Sequence, residues 1–223
     1  MKKFIFILAN IWLLCSIVSC EPMDATYKDF IKDGPIMYLT RLSKDSLLVQ
    51  NGWERIQITF PVIKDGRSTR IALALNQSDT IRYDLAKDQK TKILLNDLRE
   101  GSMILSAWLE DNESNKSLPT DFTGTVYGTQ YKSYLLNRPI VSKTMNSGNL
   151  IIKYSMLLDS TLVASKLTWT EGDKQKTKVS FYYPSGEDTL FNFKGDSFVM
   201  ETLYAPDKNV LDSIWSKPVT YSK

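Results

Sequence analysis

The clearest structural signal in this sequence is the stretch Ser102-Met103-Ile104-Leu105-Ser106-Ala107-Trp108-Leu109-Glu110. Its odd-numbered positions from 103 to 109 are all apolar, and its even-numbered positions are mixed. Successive side chains of a β-strand point to opposite faces, so this period of two predicts a strand with one buried face. Trp108 is out of phase with the apolar positions and is predicted to lie on the other face, beside Ser106 and Glu110.

Similar alternations recur on both sides of this stretch, separated by turn residues. Short helices are predicted only at Tyr27–Lys32 and Tyr131–Leu136. About seven short strands in each half predict an all-β chain with two consecutive β-sandwich domains. The apolar residues of the predicted strand Val179–Tyr183 share one face. The other predicted strands are Ile56–Phe60, Arg70–Leu75, Ile81–Leu85, Ile93–Leu95, Phe122–Tyr127, Leu150–Tyr154, Leu167–Trp169, Phe198–Tyr204 and Ile214–Trp215.

The two halves share a local pattern ahead of a long strand. The segment Leu95–Gly101 leads into the strand at 102–110, and Leu190–Gly195 leads into a strand at 197–204. A hydrophobic turn, then glycine, then a long strand resembles the lead into strand F of fibronectin type III domains. The resemblance implies two consecutive immunoglobulin- or fibronectin type III-like sandwiches.

The connection between the halves is predicted around residues 131–138. The segment Tyr131–Pro139 is apolar rather than rich in Gly and Ser, so we expect it to pack against both domains as a semi-rigid elbow. The predicted bounds are 35–130 for the first sandwich, 131–138 for the elbow and 139–223 for the second sandwich.

The N-terminus carries the pattern of an export signal. Lys2 and Lys3 precede an almost wholly apolar run from Phe4 to Val18, which is short for a membrane span of about 20 residues. The run ends in Ile17-Val18-Ser19-Cys20, which resembles the bacterial lipobox. That resemblance implies cleavage after residue 19 and acylation of Cys20, so residues 1–19 are predicted to be a lipoprotein signal peptide and 20–34 a lipidated tether. The alternative is an ordinary signal peptide with an incidental cysteine.

Composition excludes several classes of chemistry. The chain has no histidine, which excludes Ser-His or Cys-His nucleophilic pairs and histidine-ligated metals. Its cysteines, Cys15 and Cys20, both lie near the N-terminus, so no disulfide is expected in the downstream domains. Without Lys2 and Lys3 the formal net charge falls from +3 to +1. This balance is not that of a nucleic-acid-binding protein, so no nucleic-acid partner is expected.

Local motifs add no catalytic or metal site. No phosphate-binding glycine loop is present. The segment Asp111–Asn115 begins like a calcium loop, but Lys116 and Phe122 stand where that loop needs glycine and glutamate. Paired acids such as Glu110/Asp111 and Glu187/Asp188 are expected by chance among so many loop acids. We therefore expect no enzymatic activity, no metal and no cofactor.

Several segments along the chain carry a family resemblance: Cys20, Tyr27–Gly34, Val126–Gly128 with Tyr131, Leu135–Arg138, and Leu203–Pro206 with Asp212. Together they resemble a family of uncharacterised Bacteroides-type two-domain lipoproteins with fibronectin type III-like folds. The resemblance spans nearly the whole chain after Cys20. It implies an outer-membrane lipoprotein of the cell envelope, with the leaflet side left open, often encoded near glycan-uptake systems. Glu21 and Asp24 also resemble an acidic surface-export tag.

Tryptophans are the remaining candidates for ligand binding. Trp169 alternates in phase with Leu167 and is predicted to be a core residue, whereas the facing of Trp215 is undecided. Trp108, on the polar side of its strand, and Trp53, just after the turn Asn51-Gly52, are the candidate ligand-binding residues, because sugars stack on exposed aromatic rings. The alternative is that Trp108 covers a domain contact and Trp53 caps the sandwich.

Two functions fit these observations. The first is an accessory glycan-binding lipoprotein associated with surface glycan uptake. The second is a structural spacer or assembly partner for another outer-membrane protein. A binding module should cluster its exposed aromatic residues on one patch, whereas a spacer should show isolated aromatic residues and apolar residues on an edge or at the elbow.

Overall fold

The computed structural model describes residues 39–76, 80–86, 88–155, 159–181 and 186–223. Leu39–Lys223 forms one compact unit. The predicted signal peptide, the tether with Cys20 and the predicted helix Tyr27–Lys32 lie outside the described residues. None of the helices in the described segments is long and apolar enough to cross a bilayer.

The described chain is built of fifteen strands, one α-helix and one 3-10 turn. The helix α1 spans Thr129–Tyr134, and the 3-10 turn spans Lys44–Ser46. The strands are β1 Leu48–Asn51, β2 Ile56–Phe60, β3 Arg70–Leu75, β4 Thr80–Asp84, β5 Thr91–Leu95, β6 Gly101–Glu110, β7 Thr120–Val126, β8 Ile140–Asn146, β9 Asn149–Tyr154, β10 Leu162–Glu171, β11 Lys174–Phe181, β12 Glu187–Leu190, β13 Ser197–Tyr204, β14 Ile214–Trp215 and β15 Val219–Ser222.

Both halves use the same strand order. The first half has a three-stranded sheet β1-β2-β5 and a four-stranded sheet β4-β3-β6-β7. The second has a three-stranded sheet β8-β9-β12 and a larger sheet β11-β10-β13-β14, in which β15 also pairs with β13. All strand pairs between these named strands are antiparallel. The prediction of an all-β chain with two consecutive sandwiches is confirmed.

Each half has its own hydrophobic core, formed where one face of each sheet carries the alternating apolar residues. In β6 the predicted inward positions, Met103, Leu105, Ala107 and Leu109, are buried. The first core also takes its largest fully buried side chains from Phe60, Ile56 and Ile58 of β2 and Ile71 and Leu73 of β3. The second core is formed by Leu150, Ile152, Tyr154, Leu167, Trp169, Leu190, Phe193, Phe198 and Met200.

The strand near residue 180 lies at an edge of its sheet, and the sequence does not show which of its two faces is buried. Val179 and Phe181 do share a face, but they are exposed on the outer side of β11. The core-side positions are Lys178 and Ser180, whose side chains bind the buried carboxylate of Asp188. The core side of this edge strand therefore binds a buried carboxylate instead of carrying apolar residues. Tyr183 lies outside the described residues.

Two further elements differ from the prediction. Helix α1 begins two residues earlier than predicted because the Glu100 carboxylate accepts hydrogen bonds from the backbone N–H groups of Gln130 (2.7 Å) and Tyr131 (2.6 Å). The last strand is β15, whereas Ile214–Trp215 forms only the two-residue strand β14. β15 is short, and its apolar residues Val219 and Tyr221 are too few to give a clear alternation.

Candidate functional site

Trp108 lies on the outward side of β4-β3-β6-β7, which we call the first outer face. Its indole Nε1–H donates a hydrogen bond to Glu110 Oε1 at 3.1 Å. Glu110 also accepts two hydrogen bonds from the Arg82 guanidinium, at 2.8 and 3.3 Å. Between Trp108 and Arg82 in the register lies Ala72, which is fully buried. The indole is thus held within the protein's own hydrogen-bond network.

The charge state of this group follows from its contacts. The side-chain hydrogen bond from Arg82 holds the pKa of Glu110 below its usual range; burial opposes the shift, and the Trp108 hydrogen bond adds to it. Glu110 is only 3% exposed. At neutral pH the first outer face therefore carries an ionised, nearly buried carboxylate beside a half-buried indole.

Trp53 lies at the end of the first sandwich that faces the second. It forms an isolated bridge with Tyr127, and its backbone N–H donates to Asp212 Oδ2 at 2.9 Å. Its neighbours enclose an open cavity of about 320 Å³, lined by Trp53, Glu54, Arg55, Asn96, Asp97 and Asp212. Trp53 forms the aromatic side of this cavity, and its other lining residues are polar or charged.

Asp212 ties the loop between β13 and β14 to the first sandwich. The Arg55 guanidinium donates to both of its carboxylate oxygens, at 3.0 Å from Nε and 2.5 Å from Nη2. The side-chain hydrogen bond from Arg55 lowers the pKa of Asp212 below its usual range; burial opposes it. The carboxylate therefore stays ionised over the neutral range and binds the two sandwiches together.

Backbone contacts reinforce the same attachment. The N–H of Leu211 donates to the carbonyl of Asn51 at 2.7 Å, and Asn51 Nδ2 donates to Asp207 Oδ2 at 3.2 Å. A Cβ on Gly52 would lie 2.7 Å from Asp212 Oδ2 and 3.0 Å from Leu211 Cβ. Glycine is therefore required at position 52, because the segment Leu211–Asp212 approaches too closely for a side chain.

The connecting segment is fixed at both ends. On the first sandwich, Glu100 holds the start of α1, and a Cβ on Gly128 would lie 2.7 Å from Glu100 Oε2. On the second, Tyr204 Oη donates to the carbonyl of Leu136 at 2.7 Å. The backbone N–H of Arg138 donates to Thr202 Oγ1 at 2.9 Å. We call these attachments, together with those of Asn51–Arg55 and Asp207–Asp212, the junction.

The structure does not bring the two predicted ligand-binding tryptophans together. Gly101 pairs with Val126, the neighbour of Tyr127, so Trp53 lies near the start of β6. Trp108 lies seven residues further along the strand, a separation of roughly 23 Å at the usual rise per residue. Whether either residue binds a ligand stays a prediction, but no single patch contains both.

Two further tryptophans lie in the described part of the chain, one buried and one facing outward. Trp169 is buried in the second core, as predicted, and its Nε1–H donates to Glu171 Oε1 at 2.8 Å. Trp215 faces outward, opposite Leu203 of β13 in the register. The Lys166 ammonium lies 4.7 Å from the centre of its ring.

The acidic segments show what their carboxylates do in this fold. Asp111 forms a polar loop after β6, where its Oδ1 accepts hydrogen bonds from the backbone N–H groups of Glu113 and Asn115, both at 2.9 Å. The buried Asp188 accepts a hydrogen bond from Tyr154 Oη at 3.0 Å. Among the residues that the structure describes, no group of three or more His, Cys, Asp or Glu residues is placed to hold a metal ion.

Sequence reasoning missed the pairing at the centre of the junction. The sequence points to Asp212 only through the family resemblance, and nothing in the sequence singles out Arg55. The signal that existed was the turn Asn51-Gly52, whose glycine is explained by the approach of Asp212. The partner of that glycine lies about 160 positions away, and a single sequence does not show it.

The fold and the junction define a class of protein: a tandem of two antiparallel β-sandwiches whose connection is fixed by hydrogen bonds and an ion pair. Residues 20–214 match DUF4998, a domain of unknown function, and the chain belongs to this family. No curated protein matches the chain.

Two solved structures are similar to the chain at low sequence identity. The first contains the FN1–FN3 domains of chicken CNTN1, with 9% identity, a TM-score of 0.41, 83% of this chain covered and 65% of that one. The second is a two-domain fibronectin type III segment of chicken tenascin, with 15% identity, a TM-score of 0.32, 82% of this chain covered and 98% of that one. The chain thus spans slightly less than two thirds of the CNTN1 segment.

Proposed function

We propose that this chain is a non-enzymatic, lipid-anchored protein of the cell envelope that serves as a rigid spacer or assembly partner for another outer-membrane protein. The observation that carries the proposal is the junction. A protein that holds a partner at a set distance needs a fixed angle between its domains, and a flexible linker would lose that direction.

Three separate elements support a fixed angle. Asp212 binds Arg55 and the backbone of Trp53, and Leu211 binds the carbonyl of Asn51. The connecting segment is attached to the first sandwich through Glu100 and to the second through Thr202. Each of these contacts restrains a different part of the junction, so the junction resists bending only while all of them are present.

The aromatic residues favour the spacer over a glycan-binding module. Trp108 and Trp53 are far apart on the sheet, and Trp108 is hydrogen-bonded by its own domain. Apolar side chains are instead exposed at the elbow and on the edge strands. The most exposed of these are Tyr134, Leu136, Val141 and Phe181.

Accessory glycan binding is the second candidate function, and one observation favours it. Trp108 is only half-buried and lies beside the ionised Glu110 and Arg82. An accessible indole edged by hydrogen-bonding groups is a common arrangement for a sugar ring.

The anchor and the absence of catalysis rest on sequence. Cys20 follows the lipobox-like Ile17–Ser19, and acyl chains hold a protein at a bilayer with about 0.8 kcal/mol per buried methylene. Two or more chains on one residue anchor firmly without a membrane-spanning helix. A chain without histidine also lacks the commonest general base, which supports a non-enzymatic role.

The test measures the distance between the two sandwiches in the full acylated chain. Spin labels are placed on cysteines substituted at the exposed Lys92 and Lys153, and the width of the distance distribution is recorded. We expect a narrow distribution that broadens in D212A and in G52A, which crowds the same contact. The matched control is D196A, which removes a carboxylate that is 95% exposed and paired with Lys223.

Two results would contradict the proposal. A broad distribution in the unaltered chain would remove the rigid junction on which the spacer depends. In cells, C20A should leave the membrane fraction; a C20A variant that still fractionates with membranes, beside an unaltered chain without acyl mass, would remove the anchor.

A further inference from the structure

The outward side of the sheet β11-β10-β13-β14, which we call the second outer face, carries a row of apolar residues across four strands. The register places Phe181 opposite Ala164, Ala164 opposite Leu203, and Leu203 opposite Trp215. Phe181 is 69% exposed. Each strand contributes one member, so the row runs straight across the sheet.

A charged pair lies at the centre of this face, two residues along from the apolar row. Lys166 of β10 pairs with Glu201 of β13 at 2.5 Å, and their side chains are 28% and 21% exposed. Lys166 also lies over the Trp215 ring. The face is therefore apolar along one row, with one positive and one negative group on its two middle strands.

From this arrangement we infer that the second outer face binds the same face of a second copy of this chain. A two-fold axis parallel to β10 and β13, running between them, would exchange the positions of the two middle strands. It would place Lys166 over the partner's Glu201 and Glu201 over the partner's Lys166. A face with opposite charges on either side of such an axis is complementary to itself.

The apolar row is complementary to itself about the same axis. The rotation brings the outermost residue of one edge over the outermost residue of the other, so Phe181 meets the partner's Trp215. Ala164 is fully buried, so the middle of the row offers a partner only the partly exposed Leu203. The large residues thus meet at the rim as an aromatic pair, and the Leu203 side chains of the two copies lie near the axis.

The size of the face suits a reversible dimer. The strands β10, β11 and β13 are at least about 26 Å long, and β14 and β15 together fill the fourth position beside β13. At a spacing of about 4.8 Å the sheet offers roughly 500 Å² per copy, or about 1,000 Å² in total. That lies at the lower limit of specific interfaces. Enclosing the Lys166–Glu201 pairs also carries a desolvation cost, so the dimer is expected to be weak in solution.

The experiment compares two phenylalanines of equal exposure in the full chain, in a detergent matched in density to the solvent. Phe181 and Phe191 are 69% and 70% exposed, but Phe191 follows β12 in the other sheet, away from this face. By sedimentation equilibrium we expect the unaltered chain and F191E to dimerise with the same constant. F181E should weaken dimerisation at least tenfold, with an unchanged melting temperature that shows it remains folded.

A charge exchange tests the axis itself. K166E makes both central groups acidic and E201K makes both basic, so each variant alone should be monomeric. A mixture of the two should form a mixed dimer, because each acidic pair then faces a basic pair. A chain that stays monomeric at every concentration, an equal effect of F181E and F191E, or a mixture that fails to associate would overturn the inference. An effect of F181E on glycan retention without any dimer would assign the face to a sugar instead.

Discussion

The larger sheets of the two sandwiches occupy equivalent places in the strand order, yet their outer faces carry different kinds of side chain. On the first outer face, Trp108, Glu110 and Arg82 bind one another. On the second, the exposed Phe181 and the outward-facing Trp215 end an apolar row. The comparison shows that equivalent outer sheet faces of one fold can carry a hydrogen-bonded polar group or a row of apolar residues.

The alanine residues beneath these faces make the contrast sharper. Ala72 of β3 and Ala164 of β10 occupy the same strand position in the two sheets, and both are fully buried although they point outward. Ala72 lies between Trp108 and Arg82, whereas Ala164 lies between Leu203 and Phe181. A small residue under larger neighbours is therefore common to both faces, and only the neighbours differ in polarity.

The largest expected effect comes from truncating one aromatic residue on each face. W108A should lower the free energy of unfolding by about 2 to 3 kcal/mol, because a half-buried indole loses packing and its hydrogen bond to Glu110. F181A should change it by less than about 0.5 kcal/mol, since most of its ring is in water. Urea unfolding of the two variants measures both values.

The same variants separate packing from binding on the first outer face. Affinity electrophoresis on a panel of polysaccharides should give equal mobility for W108A and the unaltered chain. Unchanged stability of W108A, together with lost retention on a glycan, would reverse the comparison and make the first face the ligand-binding one.

A smaller effect is expected from the charged pairs. E110Q should lower the free energy of unfolding by about 1 to 3 kcal/mol. The neutral amide can no longer form an ion pair with Arg82 or accept all of the hydrogen bonds of the nearly buried carboxylate. E201Q should lower the free energy of unfolding by less than about 1 kcal/mol, since the Lys166–Glu201 pair is more accessible to water. Equal losses in the two variants, measured by the same unfolding experiment, would show that the faces are energetically alike.

The smallest expected effect is the pH dependence of the first face. The pKa of Glu110 is lowered in the folded state, so its stabilisation is fully present above the unfolded pKa of about 4.3 and is lost as the pH falls through the lower folded value. The difference in stability between E110Q and the unaltered chain should therefore shrink below about pH 4.3. A difference that stays constant from pH 7 to pH 3 would show that the charge of Glu110 does not contribute.

Alternation predicted the strands well where one face is buried. The buried residues of β6, from Met103 to Leu109, were identified correctly because a period of two leaves a single choice of face. The same logic placed Trp108 on the outer side. It could not show that Glu110, two residues on, would bind the indole and be nearly buried, because that depends on Arg82 from another strand.

Alternation placed Val179 and Phe181 on one face of β11, but it did not show which face of that strand lies toward the core. The residues of β11 have the alternation of a core strand, but Lys178 and Ser180 turn inward to meet Asp188. The buried carboxylate, not the apolar content of the strand, sets its facing. The junction was out of reach for a related reason: Arg55 and Asp212 are 157 positions apart, and neither stands in a motif.

The contact between Asn51 and Asp207 joins residues separated by 156 positions, which has a consequence for the order of folding. The strands of the first sandwich all lie before residue 127, so its core can close while the rest of the chain is still being made. The angle between the domains cannot be set until the loop at 205–213 has emerged. Synthesis thus produces the first sandwich well before the loop whose contacts fix its angle to the second sandwich.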